Sequence, residues 1–91
     1  MRRRATLPVL AMPTKTNAEK AKKAELTKLG TRIKETRLGR GLTQRDLAEA
    51  LGISIAYMSL LERGGRNPPI TTVLAIEQAL RVPPGRLSAD G

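Results

Sequence analysis

Cysteine and histidine are absent from this 91-residue sequence, and a single tyrosine is its only aromatic residue. Without cysteine the chain can form neither disulfide bonds nor thiolate metal sites. Without histidine it lacks the usual general base near neutral pH and the commonest metal ligand. The eight acidic residues are scattered along the chain. We therefore expect no catalytic residues, no metal ion and no cofactor.

Long apolar runs are also missing, and no stretch approaches the roughly 20 residues that a membrane-spanning helix needs. The first stretch, "MRRRATLPVLAMPTKT" (residues 1–16), combines three arginines with a short apolar run that Pro8 interrupts. That run is too short and too broken for a signal peptide. We predict a flexible, disordered basic arm over residues 1–16. Met12 is a second candidate for the translation start, and the sequence leaves both starts open.

Acidic residues are outnumbered by basic ones, with 8 Asp and Glu against 17 Lys and Arg and a formal net charge of +9. Nucleic acid is the simplest partner for such a surface, because Lys and Arg displace the counterions that condense on phosphate backbones. An anionic membrane surface and an acidic protein are the alternatives that charge alone leaves open. The near-absence of aromatic residues argues against single-strand binding by base stacking.

Helix-forming residues, caps and glycine stops divide residues 17–91 into five predicted helices, with no signal for a strand. The predicted helices run from Asn17 to a stop at Gly41, from the cap Thr43 to Gly52, from the cap Ser54 to Arg63, from Ile70 to Arg81, and through a single turn after Pro83–Pro84 that carries Leu87.

The first predicted helix has two unlike halves. Its apolar stripe consists of Leu26, Leu29, Ile33 and Leu38, so we expect its second half to pack into the domain. Residues Ala18–Glu25 carry no such stripe, and we expect them to project into solvent as an extension. The lack of an apolar face there also argues against membrane-surface binding.

Six short motifs occur in order between residues 29 and 68: "LGTRI", "GLTQ", "LAEALGIS", "YMS", "ERG" and "RNP". Together they resemble the phage-repressor-like (Cro/Xre-type) helix-turn-helix family, over about residues 29–87. The resemblance implies an all-α, five-helix DNA-binding domain at residues 17–91 with an extended first helix. Similar free-standing regulators include phage repressors, controller proteins of restriction–modification systems and antitoxins, and the residues do not select among them.

The resemblance implies a homodimer on double-stranded operator DNA, with the recognition helix (about residues 54–63) in the major groove. Gln44, in the first turn of the second helix, is then expected to contact a phosphate. Ile55, Ala56 and Leu60 cannot form hydrogen bonds, so they would contact thymine methyl groups or a protein partner instead. The predicted DNA-binding residues are Thr43, Gln44, Ser54, Ile55, Ala56, Tyr57, Ser59, Leu60, Arg63, Arg66 and Asn67.

Two further sets of residues follow from the same resemblance. Arg37 and Glu62 are expected to form a structural ion pair between the first and third helices. The dimer interface is expected among apolar side chains that so small a domain cannot bury by itself. These interface residues are Ile70, Val73, Ile76, Val82 and Leu87.

A regulator of this kind acts in the cytoplasm of a bacterium, on the nucleoid, either by blocking RNA polymerase or by touching it. The alternative is a protein-interaction module of the same fold, such as an antitoxin that grips a toxin through the basic arm. Operator sequence and the direction of regulation lie beyond the sequence.

Overall fold

Four α-helices make up the part of the chain that the computed structural model describes, residues 17–87. They are α1 (Asn17–Gly39), α2 (Gln44–Leu51), α3 (Ile55–Glu62) and α4 (Ile70–Leu80). No strand occurs among these residues. The all-helical class predicted from the sequence is therefore confirmed, and the predicted basic arm at residues 1–16 lies outside the described residues.

The predicted fifth helix is wrong, because residues 84–87 form only a turn. Gly85 has a φ of 86°, a left-handed conformation that interrupts a right-handed helix. The carboxylate of Glu77 fixes the turn by accepting hydrogen bonds from the backbone nitrogens of Gly85, at 2.9 Å, and Leu87, at 2.8 Å. Leu87 is thereby held in the core, where it is 2% exposed.

The apolar stripe of α1 differs from the prediction at one position. Leu26 and Leu29 are half-buried and Ile33 is buried, but Leu38 is 56% exposed. Each helical residue turns the chain by about 100°, so Leu38 lies roughly 140° around the helix from Ile33. Arg37 occupies the inward position instead and is buried.

Two glycines allow α1 to lie directly against the C-terminal end of α3. A β-carbon on Gly30 would lie 2.4 Å from the carbonyl oxygen of Leu61 and 2.5 Å from that of Glu62. Gly64, just after α3, has a φ of 78°, and a β-carbon there would lie 2.8 Å from the Cα of Thr27. Backbone therefore packs on backbone at both points, and only glycine fits.

The hydrophobic core lies between the four helices and the C-terminal turn. Its buried members are Ile33, Leu47, Ala48, Met58, Leu61, Ile76, Leu80 and Leu87. Residues 17–25 are all exposed, so the first turns of α1 extend beyond this core. The core thus fixes α2 and α3 relative to each other and leaves the beginning of α1 to solvent.

Candidate nucleic-acid interface

A tight turn joins α2 to α3. Gly52 has a φ of 71°, and its backbone nitrogen donates to the carbonyl of Glu49 at 3.2 Å. The nitrogen of Ile53 reaches back to the carbonyl of Ala48 at 3.0 Å, which completes a helix-ending motif of the Schellman type. Ser54 follows as the N-terminal cap of α3. The buried Ala48 has a side chain small enough for the two helices to approach closely.

The N-terminus of α2 is closed by a capping box. The backbone nitrogen of Asp46 donates to Oγ1 of Thr43 at 3.0 Å, and the nitrogen of Thr43 donates to Oδ2 of Asp46 at 2.9 Å. The hydrogen bond from the backbone of Thr43, with a second from its side chain, lowers the pKa of Asp46 below the usual 3.8. Thr43 is therefore a helix cap, as its position predicts, and its DNA contact stays a prediction.

A buried ion pair joins α1 to α3. Nε and Nη2 of Arg37 donate to Oε2 and Oε1 of Glu62 at 2.6 Å and 3.0 Å. Nη1 of the same guanidinium donates to the carbonyl of Leu42 at 2.7 Å. The structure thus contains the ion pair that the resemblance implies.

Gln44 is hydrogen-bonded to that ion pair, a contact that was not predicted from the sequence. Its Nε2 donates to Oε1 of Glu62 at 3.0 Å, so the carboxylate connects all three helices of this region. An amide nitrogen carries two hydrogens, and the second is available to a phosphate. The phosphate contact of Gln44 therefore stays a prediction. Nothing in the sequence alone indicates that Gln44 and Glu62 meet, because 18 positions separate them.

The outward face of α3 begins at its N-terminus. Ser54 caps the helix through its Oγ, which accepts from the nitrogen of Tyr57 at 3.0 Å. Ser54, Ala56 and Ile55 are exposed, the last by 39%. Met58 and Leu61 occupy the inward face and are 0% and 2% exposed.

The remaining residues predicted on α3 are less accessible than those at its start. Tyr57, Ser59 and Leu60 are half-buried. A β-carbon at Gly65 would lie 3.2 Å from the Cδ2 of Leu60, so the loop after α3 partly covers this leucine. Leu60 therefore offers less surface to a ligand than Ile55 does.

Exposed polar residues continue from α3 into the loop that follows it. Arg63 ends the helix, and Arg66 and Asn67 lie further along the loop, all three exposed. Pro68 is buried, and Gly64 packs on Thr27 of α1, so the loop is anchored on both sides. The three polar side chains thus project from a fixed backbone.

Three of the five residues predicted at the dimer interface are covered by the domain itself, and the interface stays a prediction. Val73, Ile76 and Leu87 are buried within the domain's own core, 5%, 0% and 2% exposed. The spacing of the apolar residues along the sequence indicates which of them share a face. In the structure the other helices cover that face. Ile70 is 64% exposed and Val82 is half-buried. Leu74, which is not among the predicted interface residues, is 42% exposed.

Residues 17–87 contain neither a membrane-spanning helix nor a cluster of metal ligands. No helix in this range is long and apolar enough to cross a membrane. No three Asp or Glu side chains of this range form a group that could hold a metal ion.

The HTH_3 helix-turn-helix family matches residues 33–87. An HTH-type transcriptional regulator of Sinorhizobium fredii is 41% identical over 54 residues, which are 59% of this chain and 70% of that protein. An uncharacterised HTH-type transcriptional regulator of Mycobacterium tuberculosis is 42% identical over 59 residues. Those residues are 65% of this chain, and they span only 23% of the mycobacterial protein.

Solved structures share the fold as well. The restriction–modification controller protein C.AhdI from Aeromonas hydrophila superposes with a TM-score of 0.68 at 38% identity, over 70% of this chain and 97% of the controller. The controller protein C.Esp1396I, solved as a tetramer in complex with its natural 35 base-pair operator, has a TM-score of 0.63 at 35% identity. That superposition covers 69% of this chain and 83% of the controller.

Proposed function

The chain belongs to the HTH_3 helix-turn-helix family, a family of transcriptional regulators, and from this membership we propose that it is a sequence-specific regulator that binds operator DNA as a homodimer. In this proposal α3 (Ile55–Glu62) lies in the major groove and α2 (Gln44–Leu51) rests across the phosphate backbone.

One observation carries the proposal: the start of α3 is exposed on one side and fixed by the core on the other. Ser54, Ile55 and Ala56 are accessible, while Met58 and Leu61 hold the helix in the domain. A major groove about 12 Å wide admits a helix presented in this way. The exposed start of α3 is therefore the part that meets base edges.

Base recognition in this proposal depends on methyl groups more than on hydrogen bonds. Ile55 and Ala56 fit the C5-methyl of thymine, which only the major groove displays. The hydroxyl of Ser54 already accepts the capping bond from Tyr57, and its own hydrogen remains available to a base or a phosphate. We expect an operator half-site with at least one essential A·T pair.

Phosphate contacts flank this reading surface. The first amide hydrogen of Gln44 is donated to Glu62, and the second donates to a phosphate of one DNA strand. The exposed side chains of Arg63, Arg66 and Asn67, on their anchored loop, contact phosphates of the other strand. Such contacts fix the register of the domain on the duplex and make its affinity depend on salt.

Dimerisation compensates for weak base readout by doubling the contacts. We place the dimer interface at the exposed Ile70 and Leu74 of α4 and at the half-buried Val82 that follows the helix. A two-fold dimer sets its recognition helices about 34 Å apart, one turn of duplex. The operator-bound tetramer of C.Esp1396I supports oligomeric operator binding in a protein with this fold.

Regulation in this proposal follows from occupancy. A dimer bound across a promoter excludes RNA polymerase, and one bound beside it offers polymerase a contact. The proposed place of action is the bacterial cytoplasm, where the nucleoid lies.

Selection of bound sites from random duplexes, followed by titration, tests the proposal. We expect a palindromic consensus, bound roughly 10³-fold or more tightly than a scrambled duplex. Ala56→Glu should abolish this preference by placing a carboxylate in the groove. Ala50→Glu is the matched control, since Ala50 is exposed on α2 beside Ala75 and Gln78 of α4. Equal affinity of the wild type for consensus and scrambled duplexes would contradict the proposal.

A further inference from the structure

The beginning of α1 is a lysine-rich helical extension, residues 17–25, that contributes nothing to the core. Lys20, Lys22 and Lys23 are exposed, as is every other residue of the extension. Glu25 pairs with Lys28 at 3.3 Å, so its charge is compensated one turn further along the helix. The family match begins only at residue 33, so neither the family nor the core requires this segment.

The lysines are also unfavourably placed for helix stability. The N-terminal end of a helix carries partial positive charge, and a cation in its first turn, such as Lys20, is destabilising. Lys20, Lys22 and Lys23 all lie within the first seven residues of α1. All three side chains are exposed, so they contribute nothing to the core.

The extension starts beside the polar loop that follows α3. Thr27 of α1 contacts Gly64. In the sequence Gly64 lies between Arg63 and Arg66. The C-terminal end of the extension therefore lies next to the loop to which we assign phosphate contacts. A helix rises about 1.5 Å per residue, so nine residues span roughly 13 Å, the length of about four base pairs.

The chemistry of the extension selects the partner. Ala18, Ala21 and Ala24 are its only apolar residues, and all are exposed, so it has no stripe for docking on an apolar surface. What it offers is an array of three ammonium groups, which outnumber the carboxylates of Glu19 and Glu25, on a continuous helix next to other basic residues. A regular row of phosphates complements this array.

We propose that the extension binds the phosphate backbone of the same duplex, on the base pairs that flank the half-site read by α3. This inference rests on the proposed function. The lysines lengthen the footprint and add affinity without reading sequence, because an ammonium group is a point charge with no preference among bases.

The test uses the full chain carrying Lys20→Gln, Lys22→Gln and Lys23→Gln together. Two duplexes share one selected operator: one ends at the half-sites, and the other extends about six base pairs beyond each. On the long duplex we expect an affinity loss on the order of tenfold near 0.1 M salt and a salt slope smaller by roughly two. On the short duplex the variant should equal the wild type.

Two controls make the result specific. Lys34→Gln removes an exposed lysine from the second half of α1. It should leave unchanged the gain in affinity that the flanking base pairs of the long duplex provide. Glutamine preserves helix propensity, and circular dichroism checks the helix content of each variant. Equal binding of the triple variant and the wild type to the long duplex would overturn the inference, as would an equal loss on both duplexes. A wild type that binds no duplex selectively overturns the proposed function instead.

Discussion

Nε of Arg37 lies 2.6 Å from Oε2 of Glu62, and these two side chains are only 6% and 3% exposed. This ion pair is the central polar connection of the domain, because Glu62 also accepts from Gln44 and Arg37 also donates to the carbonyl of Leu42. Four hydrogen bonds thus link Arg37, Glu62, Gln44 and the backbone of Leu42 within the protein. Such a network costs desolvation energy and fixes the geometry of helices more than it adds stability.

Removal of one partner of this pair should be costly. Arg37→Met leaves the carboxylate of Glu62 buried without its cation, and we expect the free energy of unfolding to fall by about 3–5 kcal/mol. The double variant Arg37→Met/Glu62→Leu should recover most of that loss, because no charge is left buried. Urea unfolding followed by circular dichroism measures both.

The exposed pair of Lys28 and Glu25, at 3.3 Å, is the control for the buried one. Lys28→Ala should change stability by no more than about 1 kcal/mol. A double variant at Arg37 and Glu62 as unstable as the single one would contradict the assignment of the loss to an unpaired charge.

Alanine at Gly30 should destabilise the domain, because its β-carbon would meet the backbone oxygens of Leu61 and Glu62 within 2.5 Å. Backbone cannot rotate away as a side chain can, so α1 must shift, at a cost of roughly 3 kcal/mol. Gly39→Ala in the same helix is the matched control, since its β-carbon would meet nothing within 4 Å. It should stabilise by up to about 1 kcal/mol. Thermal unfolding of both variants decides, and equal effects would refute the close contact.

The pKa of Asp46 gives the domain one acid-sensitive contact. Hydrogen bonds from Thr43 lower this pKa below its usual value of 3.8. The carboxylate therefore stabilises the fold at pH values above 3.8. The stabilisation is lost as pH falls through the lower pKa of the folded state. Carbon-detected NMR titration should give Asp46 a midpoint below 3.8.

Thr43→Val separates the two causes of this shift. The variant keeps the backbone N–H, which is the larger cause, and removes the hydroxyl. We expect the pKa of Asp46 to rise only part of the way toward its usual value. A wild-type midpoint at or above 3.8 would contradict the capping box.

Base recognition and phosphate binding should respond to different substitutions. Ile55→Ala should change the ranking of operators at one base pair, by about 1 kcal/mol. Arg66→Gln should weaken all duplexes alike and reduce the salt slope by roughly one. Competition binding with a set of single-base operator variants measures both effects. Gln44 is a poorer probe, because its replacement also disturbs Glu62. A change of site preference in the Arg66 variant, with none in the Ile55 variant, would reverse the two assignments.

Local signals in the sequence determined the helices and their ends. Thr43 and Ser54 cap α2 and α3 through bonds to residues three positions away, and Gly52 makes the turn between them. These interactions need only neighbouring residues, so spacing along the chain is sufficient to predict them. The order of the motifs likewise indicated the family, and with it the pairing of Arg37 and Glu62.

Tertiary structure alone decided which apolar faces are covered. Periodicity shows that Val73 and Ile76 share a face of α4, but the exposure of that face depends on whether other helices pack on it. Leu87 is buried because the side-chain carboxylate of Glu77 accepts hydrogen bonds from the backbone nitrogens of Gly85 and Leu87. No pattern in the sequence indicates these bonds. Gln44 meets Glu62 only because α1, α2 and α3 converge there. Local interactions are recorded in sequence spacing, whereas burial and long-range pairing depend on distances that exist only once the helices have packed.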